Sequence, residues 1–261
     1  LITKRNMLIE RAIEKSNLKR DRFKSRGQLS PRERLNAILD TDTFFLELYN
    51  MANYLVEDSN HDTSIPGANL IAGIGYISGV KCMIMIDDSG IKAGAASEAT
   101  IDKALGCLDI ALKQKLPCVH LVESAGVDLP NYSVKLWSKF GSVFYKKAKL
   151  SAAGIPVIAI LHGFSTAGGA YQIGMSDYVI GVKGNGMAAL AGSALLKAAT
   201  GENATNSDIG GVEMHSVVTG SVEYLVNDDA ESIITVRQLI DQLDWNENDA
   251  QKTILNFEEP D

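Results

Sequence analysis

A set of short, almost continuously apolar runs, alternating with segments of helical periodicity, constrains this chain more than any other feature. "CVHLVES" from Cys118, "IPVIAILHG" from Ile155 and "DYVIGV" from Asp177 lack the alternation of a strand with one wet face. Strands of this kind are buried on both sides, which requires helices above and below a largely parallel sheet. The segments between them supply those helices. "EATIDKALGCLDIALKQK" has helical spacing, and residues 134–153 set Leu136, Phe140, Val143 and Phe144 in one stripe. "DDAESIITVRQLIDQLDW" reads as a long helix capped by Asp228 or Asp229. Upstream, "LIAGIGYISG" and "VKCMIMIDD" form a strand pair around a tight turn at Ser78–Gly79. "SPRERLNAILD" opens a helix, with Ser30 as N-cap, Pro31 at the first helical position and Glu33 in the first turn. "GMAALAG" and "SVEYLV" read as further strands, and "SALLKAATG" as a helix closed by Gly201. The fold class is α/β. With no Gly-, Pro- or Ser-rich linker, the chain divides into a basic helical extension, residues 1–29, and one domain, residues 30–261.

Composition removes several function classes. At 261 residues and 46% hydrophobic, the chain is long enough for one domain with a substantial core. No apolar run reaches the ~18 residues of a membrane span, and no charged-then-apolar leader is visible, so a cytoplasmic location without membrane partners is expected. Cys82, Cys107 and Cys118 have no metal-like spacing and read as buried, reduced thiols. His61, His120, His162 and His215 form no HxH or HExxH pair, so no metal is expected in this chain. Residues 1–27 carry nine Lys/Arg against three Asp/Glu, about +6 within a chain of net −7. That basic segment lacks interleaved aromatics. It reads as a helix with a modest stripe of Ile2, Leu8, Ile9 and Ile13, either solvated or packed on a partner subunit, and not as a nucleic-acid arm.

"GFSTAGGAY", residues 163–171, follows the strand "IPVIAILH" and precedes residues that can start a helix. Two adjacent glycines at such a junction mark either a tight, close-packed turn or a backbone that approaches a ligand and offers it N–H groups.

Three stretches, in order and spacing, carry a resemblance: "SPRERLNAILD", "GFSTAGGAY…SDYVIGV" and "LAGSALLKAATGENATNSDIGGVEMHSVVTGSVEYLVNDDAESI". Together they resemble the N-terminal half of the carboxyltransferase (β) subunit of biotin-dependent acyl-CoA carboxylases, closest to the methylcrotonyl- and geranyl-CoA type. The resemblance runs from about Pro31 to the end. It implies a crotonase-like ββα superhelix and transfer of a carboxyl group from carboxybiotin to an acyl-CoA through an enolate. Preorganised backbone N–H donors in a dry pocket hold such an enolate best. Gly168 and Gly169 are then one donor region, and Gly126 and Val127, after the preceding strand, the second. The loop Gly94, Ala95, Ala96 and Ser97 falls where the family lines its CoA pocket. Lys103 is a candidate for a CoA phosphate, although a solvated lysine is the simpler reading. Ala191 and Gly192 fall along the acyl pocket, and His215 takes a structural hydrogen-bonding role. The resemblance further implies biotin on a separate carrier domain or subunit, a biotin carboxylase partner, and the C-terminal carboxyltransferase half of another subunit. It also implies a homo-oligomer at full length, and the mitochondrial matrix as location in a eukaryote.

The chain departs from the family where the loop usually reads Asp-Ser-Gly-Gly-Ala. Here it reads Glu123-Ser124-Ala125-Gly126-Val127, adding bulk beside the second donor, while Leu129–Pro130 fits the branched-chain type. Rival readings are a biotin-independent crotonase-like acyl-CoA decarboxylase or hydratase, and a non-catalytic partner subunit. A hydratase requires glutamates near the glycine turn, and residues 169–175 contain none. A serine hydrolase requires Gly-x-Ser-x-Gly, and the fifth residue here is Ala167.

Overall fold

The computed structural model describes residues 2–128 and 133–245. Among these residues the main sheet has seven strands: β1 (Leu46–Glu47), β2 (Leu70–Ile77), β3 (Val80–Asp87), β4 (Cys118–Val122), β5 (Val157–Leu161), β7 (Tyr178–Val182) and β9 (Tyr224–Val226), adjacent in that order. The first two pairings are antiparallel, and every pairing from β3 through β9 is parallel. A small parallel sheet joins β6 (Phe164–Thr166) to β8 (Met187–Ala189). The β2–β3 turn forms as expected. Ser78 and Gly79 both have positive φ, as a two-residue type I′ turn requires, and Asp40 accepts their two N–H groups at 2.8 and 2.7 Å.

The helices are α1 (Ile2–Asn17), α2 (Arg20–Ser25), α3 (Pro31–Ile38), α4 (Glu98–Gln114), α5 (Val134–Ala152), α6 (Gly168–Gly174), α7 (Ser193–Thr200), α8 (Asn206–Gly210), α9 (Val212–Met214) and α10 (Asp229–Gln242). A π-helical turn, His215–Thr219, follows α9. Alternate residues of each parallel strand serve opposite faces. Ile84, Ile86, Val119, Leu121, Ile158 and Ile160 pack under α3 and α10. Met83, Met85, Cys118 and Val157 pack under α4 and α5. The two-sided burial inferred from the apolar runs therefore holds. All three cysteines are buried and free, and burial pushes their thiols upward, Cys107 to about 12 and Cys118 to about 11. Among the described residues, no helix is long and apolar enough to cross a membrane.

The capping box at Ser30 and Glu33 starts α3 as the sequence indicates. The basic extension departs from expectation, because α1 lies against its own domain. Leu8 is buried, Arg11 donates to the carbonyls of His61 and Ser64, and the Ser16 hydroxyl donates to Asp88 Oδ1 at 2.7 Å. Phe23 of α2 is also buried. The apolar stripe underestimates this packing, since the Arg11 and Ser16 anchors are polar and long-range.

One buried charge cluster ties the termini of the domain to the sheet. Arg34 of α3 is fully buried, with Nη1 3.2 Å from Glu123 Oε2 and Nε 3.0 Å from Asp229 Oδ2. Asp229 Oδ1 lies 2.6 Å from His162 Nδ1, and Oδ2 accepts the Leu29 N–H. Burial opposes ionisation of Asp229, but His162 and Arg34 outweigh it and hold the carboxyl well below the usual carboxylate range. The cap of α10 is Asp228, which accepts from the Glu231 N–H, so Asp229 is free to point inward. Removing one member of such a cluster strands the others in the core. Arg34→Met is expected to cost about 3–5 kcal/mol, read as a lower urea midpoint at an unchanged slope.

Candidate functional site

The parallel strands β3, β4 and β5 end side by side, and the loops that leave their carboxyl ends meet. In the first loop Lys92, Ala93 and Gly94 take φ values of 49°, 53° and 71° in succession, a left-handed turn that only surrounding contacts can hold. The contacts come from the second loop. The Ala125 N–H donates to Ala93 O, the Ser124 hydroxyl donates to Gly94 O, and Ala96 and Gly126 share a backbone bond of 2.7 Å. The third loop joins through the Thr166 N–H, which donates to Ser124 O at 3.0 Å.

At the head of α6, Ala167 has φ 49° and ψ −117°, a backbone conformation that residues with a Cβ rarely adopt. It is held by its own N–H, which donates to Ala189 O and Leu190 O. His215 steadies the same strand, its Nε2 bonding Ala188 O at 2.7 Å, which is the structural role expected of it. The sharp turn at Ala167 has the form that presents a nucleophile in hydrolases, but the side chain here is a methyl group. What it presents is backbone.

Gly168 and Gly169 follow. A Cβ on Gly168 would enter the Phe140 ring, and one on Gly169 would sit 2.7 Å from Ser124 O. Close packing alone therefore requires both glycines. Their amides are the first two of α6, without an acceptor one turn back, and no other acceptor reaches them among the described residues. The Val127 amide is likewise without an acceptor among the described residues. Gly126, φ 85°, lies against Thr166 O and Gly168 N, so the two expected donor regions do meet. The Val127 side chain is buried in the α4–α5 cluster, which takes up the bulk that the sequence placed beside the donor. Leu129 and Pro130 lie outside the described residues.

A cavity of about 40 Å³ opens beneath this junction, lined in part by Gly94, Ala96, Ser124 and Gly169. Ala95 and Ser97 face the other way, into a larger cavity of about 270 Å³ that Lys15 and Lys92 also line. The loop 94–97 thus divides its side chains between two spaces. Ala191 and Gly192 follow β8 beside the Ala167 turn and line neither cavity.

Lys103 is neither solvated nor turned toward either space. It is 1% exposed, and its ammonium donates to Gly67 O at 3.2 Å. The helical period of α4 puts it on the buried face with Ala104, Cys107 and Ala111. Burial pulls its pKa down to about 8.

A buried polar chain was missed in the sequence. Lys147 of α5 lies 3.3 Å from His120 Nδ1, and His120 Nε2 lies 3.1 Å from Asp87 Oδ1. The Lys147 ammonium also donates to Gln172 O, and the Glu123 N–H donates to Asp87 Oδ2. Burial lowers the pKa of His120 and takes Lys147 down to about 8. The available signal was positional: Lys147 occupies the stripe of Leu136, Phe140, Val143 and Leu150, and His120 interrupts an apolar strand.

Comparison with known proteins places this geometry. A family model, the carboxyl transferase domain, matches residues 22–261, and the chain belongs to that family. It is 42% identical over 225 residues to a probable biotin-dependent acyl-coenzyme A carboxylase beta2 subunit of Mycobacterium tuberculosis, covering 86% of this chain and 41% of that protein. It is 40% identical to the mitochondrial methylcrotonoyl-CoA carboxylase beta chain of Arabidopsis thaliana, covering 85% of this chain and 38% of that one. The crystal structure of the P. aeruginosa geranyl-CoA carboxylase beta subunit superposes with a TM-score of 0.86 at 39% identity, covering 95% of this chain and 46% of that one. The chain thus spans less than half the length of these relatives. The resemblance to carboxyltransferase β subunits and the crotonase-like α/β fold are both borne out.

Two outcomes follow from this geometry. Ala167→Gly relieves the backbone strain and raises stability by about 1 kcal/mol, whereas Ala167→Val lowers it, both read by urea melts. Lys103 is charged in both states below pH 8, where its burial penalty is fully present. Between about 8 and the unfolded value near 10.4 only the unfolded chain keeps the proton, so stability rises with pH. Lys103→Met is therefore more stable than wild type at pH 7, and the gap narrows by about 2–3 kcal/mol by pH 10.

Proposed function

We propose that this chain is the acyl-CoA side of a carboxyltransferase, transferring a carboxyl group from carboxybiotin to an acyl-CoA. The observation that supports it is the meeting of two loop regions whose Val127, Gly168 and Gly169 amides have no acceptor among the described residues, above a mostly apolar cavity. When the acyl-CoA loses its α-proton, negative charge moves onto the thioester oxygen. Fixed amides stabilise that charge without reorganising, and loss of one such donor typically costs about 10²–10³ in rate. No titratable side chain is required at that position.

In this reading Gly168 and Gly169 supply one donor region, and Gly126 and Val127 the other. Gly94, Ala95, Ala96 and Ser97 run along the CoA arm, and Ala191 and Gly192 flank the acyl group. The lysines that line the space beside this loop are Lys15 and Lys92, the latter already paired with Glu57 and Asp128. They replace Lys103 as candidates for a CoA phosphate. The carboxyl donor comes from outside this chain, on biotin borne by a separate carrier. The roles of this chain's residues end at the acyl-CoA. A biotin carboxylase partner, a C-terminal carboxyltransferase half from another subunit and a homo-oligomer complete the proposal. Exposed apolar residues such as Trp137, Leu190, Leu195 and Val217 fit a chain that docks on such partners.

Calorimetric titration with CoA, acetyl-CoA, propionyl-CoA and 3-methylcrotonyl-CoA tests the reading. A thioester is expected to bind saturably and more tightly than CoA, and Gly169→Val to weaken it at least tenfold, because the new side chain collides with Ser124 O. Thioester binding that Gly169→Val leaves intact would remove the glycine turn from the site.

A further inference from the structure

The cavity under the glycine turn is not uniformly apolar. Leu70, Met85, Ile101, Ala104, Phe140 and Val143 make its walls, but Asp87, His120 and Gln172 also line it. Gln172 is 6% exposed, and its Oε1 has no hydrogen-bond partner among the described residues. Asp87 is 8% exposed. One of its oxygens accepts from His120 and the other from the Glu123 N–H. A carboxylate offers about four lone-pair positions, so acceptor capacity remains on Asp87 beyond these two bonds. His120 has none to spare, because its Nδ1 faces Lys147 and its Nε2 faces Asp87.

We infer that this cavity takes a hydroxyl group carried on a short acyl chain, donated to Asp87 or to Gln172. The inference rests on the proposed acyl-CoA site, since Gly169 lines the same cavity. The volume sets the length. About 40 Å³ accommodates only a few heavy atoms, given that a single water needs about 10–15 Å³ by the same measure. The polar groups set the chemistry. A methyl end would leave the buried Gln172 Oε1 without a donor, which is costly. A carboxylate end would face the Asp87 carboxylate. Of these three ends, only the hydroxyl both donates to an acceptor and accepts from the Gln172 amide nitrogen, whichever way that amide is turned. The Lys147–His120–Asp87 chain holds the carboxylate in place from behind, leaving Gln172 and Asp87 as the residues that sort acyl groups.

Four-carbon thioesters separate these possibilities: butyryl-CoA, 3-hydroxybutyryl-CoA, 4-hydroxybutyryl-CoA and succinyl-CoA, titrated calorimetrically into the wild-type chain, Gln172→Leu and Asp87→Asn. One hydroxyacyl thioester is expected to bind at least about tenfold more tightly than both butyryl- and succinyl-CoA. Gln172→Leu should shrink that preference to within about threefold, and urea melts on both variants verify that they fold. Equal binding of butyryl- and hydroxybutyryl-CoA by the wild type would overturn the inference and leave the polar groups a structural role. Tightest binding of succinyl-CoA would overturn it in favour of a carboxylate site. Failure of every thioester to bind would bring down the acyl-CoA reading itself, a result distinct from binding without preference.

Discussion

The rest of the structure depends on the parallel pairing of β3, β4, β5 and β7. Parallel strands put all their carboxyl ends on one edge, and the crevice outside that edge is where α/β sheets hold ligands. The segments 88–97, 123–128 and 162–168, the last including the short strand β6, each leave such an end. They need no further device to be brought together. They do need their backbones to pack at short range, which explains the small residues at Gly94, Gly126, Gly168 and Gly169 and the positive φ at Lys92, Ala93 and Ala167. Strain in these turns is held by the loop-to-loop hydrogen bonds of Ser124, Ala125 and Thr166.

Two buried polar clusters flank this junction and serve different ends. Arg34, Glu123, Asp229 and His162 join α3, the ends of β4 and β5, and α10. This cluster fastens the outer helices to the sheet, and Glu123 belongs to it while also leading into the donor loop. Lys147, His120 and Asp87 lie on the opposite face, under α5. Burial lowers the pKa of both histidines. A buried histidine whose folded pKa is depressed costs nothing while neutral, above its unfolded value, and destabilises the fold as pH falls, so on account of the histidines both clusters hold at neutral pH and weaken in acid.

Much of the fold was legible because its signals are local or periodic. The capping box at Ser30, the Ser78–Gly79 turn, the α5 stripe and the apolar strands each record a decision made within a few residues. The meeting of Gly126 with Gly168 was legible only through the family resemblance, since no periodicity brings together residues 42 positions apart. Lys103 was misread because a lysine is taken as solvated unless its helical phase is followed turn by turn. Lys147 and His120 were passed over for the same reason, each hidden in a pattern read as apolar.

The sequence by itself determined the α/β class, the double burial of the sheet, the helix starts and the glycines at the strand-to-helix turn, because each follows from the covalent and hydrophobic character of neighbouring residues. Only the tertiary structure decided which amides stay without acceptors, that α1 packs on its own domain, and that Asp87, His120, Lys147 and Gln172 converge under one cavity. Those outcomes depend on the register between strands and on the direction in which each helix crosses them. Such long-range geometry leaves no trace in any short stretch of the chain.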